Sequence, residues 1–342
     1  MKTFLFDYAL PEKLIAQKPV RPRDHSRLMV IDHKTGRIKD RIFRDLGEYL
    51  KPGDLLVLND TKVFRARLFG NLATGGKVEI FLLRPICSSG RSSLWQALGK
   101  PAKKLKPGTI VSGRGFRAVI AARGQQGICE IKFNLSRPGV FRLASREGHI
   151  PVPPYIKFEP KQEDVYQTVY AKKIGSVAAP TAGFHFTRRL IAALRRRGIK
   201  FATVTLHVGV GTFRSIESEN IGSHQMHAEY AVLPLRTQKM IAQTKKQGGR
   251  VIAVGTTTVR ALEGLAHGHP VSGRAGWVNI FIKPGYKFTV IDGLITNFHL
   301  PRSTLIVLVS TLAGRQFVLS AYRRAVRKRY RFYSFGDAML VL

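Results

Sequence analysis

The sequence predicts a layered α/β fold carrying an inserted small β-barrel. Three observations predict it. Strand-like and helix-like segments alternate over residues 1–64 and 151–342, the pattern of an α/β domain. Between them, residues 65–150 change texture. KVEIFLL, SLWQAL, TIVSG, FRAVIAA, ICEIKFN and VFRLAS read as short strands, and no stretch sustains a helical period. The stiff, proline-rich GHIPVPPYI (Gly148–Ile156) then suits a return from the insert to the parent domain. A chain of 342 residues is long enough for two domains.

In chain order, Arg27–Ile31 is an apolar strand and Asp32–Arg37 a polar turn. A short helix is expected over Phe43–Leu50. Leu55–Leu58 is a buried strand delivering Asn59, Asp60 and Thr61 at its carboxyl end, a common site position in α/β folds. The plainer account is a turn, which Asn and Asp both favour. Within the insert, LGKPAKKLKPG reads as a basic loop whose Lys103 and Lys104 suit phosphate, or else as a solvated turn. Later, ATVTLHVGVGTF is a strand running into glycine turns, with His207, Gly209 and Gly211. LRTQKMIAQTKKQG is a helix, RVIAVGTTTVRALEGL is strand, turn and helix, and WVNIFI and FTVIDGLITNF are further strands. STLIVLVSTLAG and the arginine-rich run after it are helical.

Lys+Arg 57 against Asp+Glu 21 gives a formal net charge of +36. Such a surface attracts polyanions, so nucleic acid is the first partner to consider, against a host whose proteins are generally basic. Cys87 and Cys129 form no metal spacing and fit a reducing compartment. The N-terminus builds no signal-like apolar core, and the longest apolar run, Thr304–Ala313, is too short to span a bilayer. A cytoplasmic, soluble protein is expected. His227 and Glu229 form an HxE pair without the P-C-x-x-C of zinc deaminases, and the pairs His224/His227 and His267/His269 lack a third ligand nearby, so no metal is expected.

Three stretches are candidates for a site, the first of them against a tight loop before an amphipathic helix. Tyr166–Thr187 passes from tyrosines through small residues to Thr181, Gly183 and His185, then into a helix beginning near Leu190. Small residues let backbone amides approach a ligand, and a helix N-terminus favours an anion. Gly255, Thr256, Thr257 and Thr258 stand between a strand and a helix holding Arg260, with neither Walker nor GxGxxG spacing. DGLITNFHLPRSTL concentrates Asp292, Thr296, Asn297, His299 and Arg302 after a strand. At the C-terminus, Arg323, Arg324, Arg327 and Arg329 accompany Tyr330, Phe332 and Tyr333, a mixture that suits RNA phosphates and bases or else a solvated helix face before a core strand.

Together these stretches closely resemble the S-adenosylmethionine:tRNA ribosyltransferase-isomerases of queuosine biosynthesis over essentially the whole chain. The resemblance rests on FDYALPEKLIAQKP, RDHSRLMV, GDLLVLNDTKVFRARL, YQTVYA, GSVAAPTAGFHFT, VTLHVGVGTF, RVIAVGTTTVRALE, DGLITNFHLPRSTL and YRFYSFGDAML, all in the family's order. It implies transfer and isomerisation of the ribosyl group of S-adenosylmethionine onto a 7-aminomethyl-7-deazaguanine base in the tRNA wobble position. The product is epoxyqueuosine in tRNA, with adenine and methionine released. It also implies an α/β domain with an inserted β-barrel, no metal, and no cofactor beyond the S-adenosylmethionine consumed as substrate. A monomer is expected. The sequence departs from the family pattern at Val165, Arg65, Phe184, Ser215 and Asn279, where Arg, Pro, Leu, Pro and Thr are usual.

The chemistry needs a base at the sulfonium-acidified C5′, an acid for departing adenine, and fixed donors for developing charge. His185, His207, His299, Asp60 and Asp292 are the acid/base candidates. Thr181, Gly183 and Gly255–Thr258 are assigned to S-adenosylmethionine, with Arg260 and Arg27 for carboxylate or phosphate. Lys103, Lys104, Arg323, Arg324, Arg327 and Arg329 are assigned to tRNA. Two alternatives are a non-catalytic tRNA-binding relative and an S-adenosylmethionine-dependent RNA methyltransferase, which releases S-adenosylhomocysteine.

Overall fold

A computed structural model of the chain describes residues 1–124, 127–158, 163–209, 215–266 and 274–342. Two compact units form. The first comprises Met1–Thr61, Gln167–Lys173 and Ala179–Leu342, and the second Lys62–Tyr166 and Ile174–Ala178.

The first unit opens with β1 (Arg27–Asp32), β2 (Arg37–Ile42) and β3 (Leu55–Asn59). The chain then passes through β4 (Thr61–Val63) into the strands of the second unit: β5 (Arg67–Leu72), β6 (Lys77–Ser89), β7 (Ser92–Lys100), β8 (Ile110–Gly113), β9 (Phe116–Arg123) and β10 (Ile128–Phe133). These six close into a barrel in the order β10-β7-β6-β5-β8-β9. The alternation in FRAVIAAR suits a barrel wall, since every second residue from Phe116 to Ile120 is buried and its neighbours are exposed. Trp95 fills this unit's core against Phe64 and Phe141.

Helix α1 (Arg137–Glu147) follows the barrel strands, so VFRLAS is helical and not a strand. Ser136 decides this locally. Its hydroxyl accepts the Gly139 N–H as an N-cap, with Pro138 in the first turn, and Val140, Leu143 and Ala144 then fall on one buried stripe. GHIPVPPYI lies inside the second unit, not at the return: His149 bridges Arg67, and Ile150 and Ile156 are both 5% exposed.

After β11 (Lys173–Ser176), which pairs with β4, come α2 (Arg188–Arg196), β12 (Lys200–Leu206), β13 (Glu229–Leu233), α3 (Leu235–Lys246), β14 (Val251–Val254) and α4 (Thr256–Ala266). Then follow β15 (Arg274–Val278), β16 (Gly293–Asn297), α5 (Thr304–Ala313), α6 (Arg315–Arg327) and β17 (Ala338–Val341). Among the described residues the sheet runs β15-β13-β12-β3-β14-β16-β17-β1-β2. Its central strands β12, β3, β14 and β16 are parallel neighbours. LLVLN, VIAV and GLITN are buried on both faces, which explains their continuous apolar sequence. β2 ends one edge with alternating charge, RIKDRI, which blunts further pairing. Of WVNIFI only Trp277 and Val278 join a strand, and of FTVIDGLITNF only Gly293–Asn297. Among the described residues no single helix is long and apolar enough to cross a membrane.

Candidate functional site

Parallel strands β12, β3, β14 and β16 deliver polar residues at one edge, their carboxyl ends, where ligands bind in open α/β sheets. Asn59 is fully buried and acts as a clamp. Its Nδ2 donates to the Leu206 carbonyl at 3.0 Å, and its Oδ1 accepts from the N–H groups of Leu206 and Thr61. β3 and β12 are thereby locked together just where their chains leave the sheet.

The lock places Asp60, Thr61 and His207. Thr205 Oγ1 donates to Asp60 Oδ1 at 2.6 Å, and Asp60 is 7% exposed. The Asp60 carbonyl accepts the N–H of Lys172 and of Lys173, so its backbone is anchored independently of its carboxylate. Thr61 Oγ1 lies 2.8 Å from His207 Nδ1, and the His207 N–H donates to the Tyr230 carbonyl. Beside them Gly255 (φ +95°) turns β14 into α4, a conformation that favours glycine. Thr258 Oγ1 donates to the Val254 carbonyl, while Asn59 Nδ2 reaches Thr257 Oγ1 at 3.5 Å.

His185 belongs to a second polar chain at this edge. Thr181 Oγ1 donates to Asn297 Oδ1 at 3.0 Å, which orients the amide so that Nδ2 donates to His185 Nε2 at 3.1 Å. His185 Nε2 is therefore the acceptor and Nδ1 carries the proton, donated to Ser26 Oγ at 2.7 Å. Burial, with the cations of Arg23 and Arg331 nearby, pushes His185 down to about 3, so the ring is neutral at pH 7. His299 is also buried and pushed down to about 3. Both rings titrate near 6.5 when unfolded. Their contribution to stability is thus complete above pH 6.5 and is lost as pH falls toward 3. Urea midpoints measured from pH 6.5 to 4 should fall with a slope containing about two protons from this pair. His185→Gln should remove one of them.

Gly183 is the pivot of the TAGFH segment, a 3-10 turn over Thr181–His185. A Cβ there would meet Tyr170 OH at 1.9 Å and Thr168 Cγ2 at 2.8 Å. Tyr170 OH and Thr168 Oγ1 are buried without a hydrogen-bond partner, and burial together with the Asp60 charge raises the Tyr170 phenol. Gly183→Ala should displace Tyr170 and depress turnover at least tenfold with little change in far-UV circular dichroism. Wild-type turnover in that variant would mean that the close approach is incidental.

Several of the sequence candidates have other duties. Arg260 makes a buried ion pair with Glu229 and also reaches the His227 and Val278 carbonyls. Glu229 Oε1 in turn accepts the Gly209 N–H, so this pair fastens the chain following His207. Arg27 stacks 3.7 Å above Tyr330 and donates to the Lys328 carbonyl. His299 is buried and bonded within the protein. Its ring is bonded to Thr296 Oγ1, its N–H donates to Tyr322 OH, and its carbonyl accepts Tyr8 OH. Asp292 lies at the opposite, amino end of β14, where it accepts the Val251 N–H. The helix after the glycine turn is already capped by Thr187, whose hydroxyl also meets Asp24, so the anion reading fails there. Arg324 and Lys328 bind Asp40 with Tyr330 OH. Burial pushes the Asp40 carboxyl up, but these three hydrogen bonds outweigh it and hold it well below the usual range. Tyr330, Phe332 and Tyr333 are core rings, which removes them as base-stacking groups.

Lys103, Lys104, Arg323, Arg327 and Arg329 are exposed. His267, His269 and Gly211 lie outside the described residues. Sequence reasoning does not single out Ser26, Thr205, Tyr170 or Glu229 as members of the site. Ser26 stands directly before a strand and Glu229 within HxE, but nothing local indicates their partners. Phe184, one of the departures, stacks on Phe335 and under Arg23.

A sequence profile described as queuosine biosynthesis protein matches residues 3–341. The S-adenosylmethionine:tRNA ribosyltransferase-isomerase of Thermotoga maritima is 50% identical over the full length of both chains. The proteins of the same name from Thermosipho africanus and Halothermothrix orenii are 51% and 48% identical, again over 100% of both chains. A crystal structure of an S-adenosylmethionine tRNA ribosyltransferase from Thermotoga maritima superposes with a TM-score of 0.58 and 41% identity. That match covers 99% of this chain and 100% of the other.

Proposed function

The chain belongs to the queuosine biosynthesis protein family, and from that premise we propose that it is an S-adenosylmethionine:tRNA ribosyltransferase-isomerase. It transfers the ribosyl moiety of S-adenosylmethionine to the 7-aminomethyl-7-deazaguanine base at the tRNA wobble position and isomerises it. Epoxyqueuosine-tRNA forms, and adenine and methionine leave. S-adenosylmethionine is consumed, so no separate cofactor takes part. The enzyme works as a monomer in the cytoplasm, where both substrates are found.

The observation that carries the reading is the convergence of Asp60, His207 and the His185–Asn297–Thr181 chain at the carboxyl edge of one sheet. Asp60 is the carboxylate suited to take a proton from the C5′ carbon, which the neighbouring sulfonium acidifies. His207, bonded to Thr61, is suited to protonate departing adenine. His185 serves differently: held neutral with both nitrogens engaged, it fixes the Asn297 amide that Thr181 also engages.

The test is a product assay. The protein is incubated with S-adenosylmethionine and tRNA bearing the aminomethyl base, and products are identified by mass. Adenine in equal amount with the epoxy-cyclopentyl nucleoside is expected. tRNA binding without adenine release would mark a binding protein that has lost its chemistry, and S-adenosylhomocysteine would mark a methyltransferase.

A further inference from the structure

Beside His207 the sheet carries a partly exposed aromatic pair. Tyr230 on β13 and Trp277 on the edge strand β15 are opposite each other in register, with ring centroids 5.4 Å apart. They are 38% and 52% exposed. β12 and β13 pair Thr205 with Val232 and Leu206 with Ala231, and the His207 N–H donates to the Tyr230 carbonyl. The next rung therefore sets His207 opposite Tyr230 and Tyr230 opposite Trp277, a row leading from the candidate site to the edge of the sheet.

The face of this row follows from the two-residue period of a strand. Phe201 is in register with Leu56, and both pack in the core cluster with Leu190 and Leu194 of α2. Thr203, Thr205 and the rung beyond share that face. α2 is thus on the same side as Tyr230 and Trp277. It presents exposed Arg188, Arg189, Arg195 and Arg196, and its sequence contains no acidic residue. A cross-strand aromatic pair alone would serve to hold an edge strand. Half-exposed rings in line with a site and backed by cations of one sign fit a polyanion with free π faces better.

On the reading that the substrate is a tRNA, we propose that this face docks the anticodon loop, with Tyr230 and Trp277 stacking its bases and the α2 arginines holding its phosphates. Loop bases are unstacked and available to aromatic side chains, whereas duplex bases are not.

The chain supplies its own probe. It has two tryptophans, and the other, Trp95, is fully buried in the second unit. Titration with the anticodon stem-loop should quench the Trp277 fluorescence, and Trp277→Phe should abolish the quench while keeping the affinity. Tyr230→Ala with Trp277→Ala should weaken binding of tRNA about tenfold or more and raise its KM, with the KM for S-adenosylmethionine unchanged. Arg188→Gln with Arg189→Gln should reduce the slope of log affinity against log salt by about 1.4, at about 0.7 per single-strand phosphate. Absence of quenching, together with full affinity in the double alanine variant of a protein that still turns over, overturns the docking surface and leaves the reaction standing. A double alanine variant that loses affinity only in proportion to lost folded protein, seen by circular dichroism, overturns it too. A wild-type protein that neither binds tRNA nor releases adenine overturns the functional reading and this surface with it.

Discussion

Asp60→Asn is expected to lower turnover by about two to four orders of magnitude, the range associated with a positioned general base, without unfolding the protein. The amide can still accept the Thr205 hydroxyl at its oxygen, so the 2.6 Å contact that orients the side chain survives. The backbone anchor also survives, because Lys172 and Lys173 donate to the Asp60 carbonyl and not to its carboxylate. What the variant cannot do is take a proton. The effect should therefore fall on kcat, with KM for S-adenosylmethionine little changed. Single-turnover release of adenine, read beside a thermal melt, separates the two. A rate within tenfold of wild type with an unchanged melt would remove Asp60 from the chemistry and leave it as a clamp between β3 and β12. Thr205→Val should then produce the smaller defect of a misoriented carboxylate, since it deletes the bond and spares the group.

The largest stability effect is expected at Arg260. Its guanidinium and the Glu229 carboxylate are each only 5% exposed. Arg260→Met removes one partner of this buried ion pair, which costs about 3–5 kcal/mol. The melting transition of the first unit should drop by roughly 6–20 °C, at about 2–4 °C per kcal/mol for a unit of this size. Because the molecule has two compact units, calorimetry that resolves separate transitions is the suitable measurement. Adding Glu229→Gln should recover much of the loss, since the buried negative charge is then gone. Activity should not recover with it. Glu229 also holds the Gly209 N–H, and the chain between β12 and Gly209 carries His207. A double variant with restored melting and restored turnover would show that the pair supports the fold without positioning His207.

Local sequence patterns account for much of this fold. Continuous apolar runs such as LLVLN and GLITN are what strands buried on both faces require, and the alternation in FRAVIAAR is what a barrel wall requires. Thr187 before a period-3.6 apolar pattern marks the start of α2, where the hydroxyl caps Leu190. VFRLAS reads as a strand because its short apolar pattern fits either period, and the signal that favours helix is Ser136 with Pro138 just upstream. Asn59, Asp60 and Thr61 stand out as polar residues ending a buried strand, and they do meet His207. Arg260 looks like a ligand-binding cation because its helix follows a small hydroxylic turn. No local pattern announces Glu229 as its partner, at a separation of 31 residues.

The sequence by itself determined most of the strands and helices, the texture of the inserted barrel, the family resemblance and the group of side chains from which a site must be drawn. All of these depend on local periodicity, turn chemistry or motif order. Only the tertiary structure decided which of those side chains are free to act. Asp292 and Asn297 are five residues apart, yet β16 carries them to opposite ends of the sheet. His185 and His299 both look like catalytic imidazoles, and burial makes both neutral anchors with pKa values near 3. Arg27, Arg260 and Arg324 carry one charge each, but each places a donor on a carbonyl or carboxylate distant in sequence. Periodicity fixes which face of an element a residue occupies. Which distant group meets it there depends on strand order and register, and those emerge only when the chain packs.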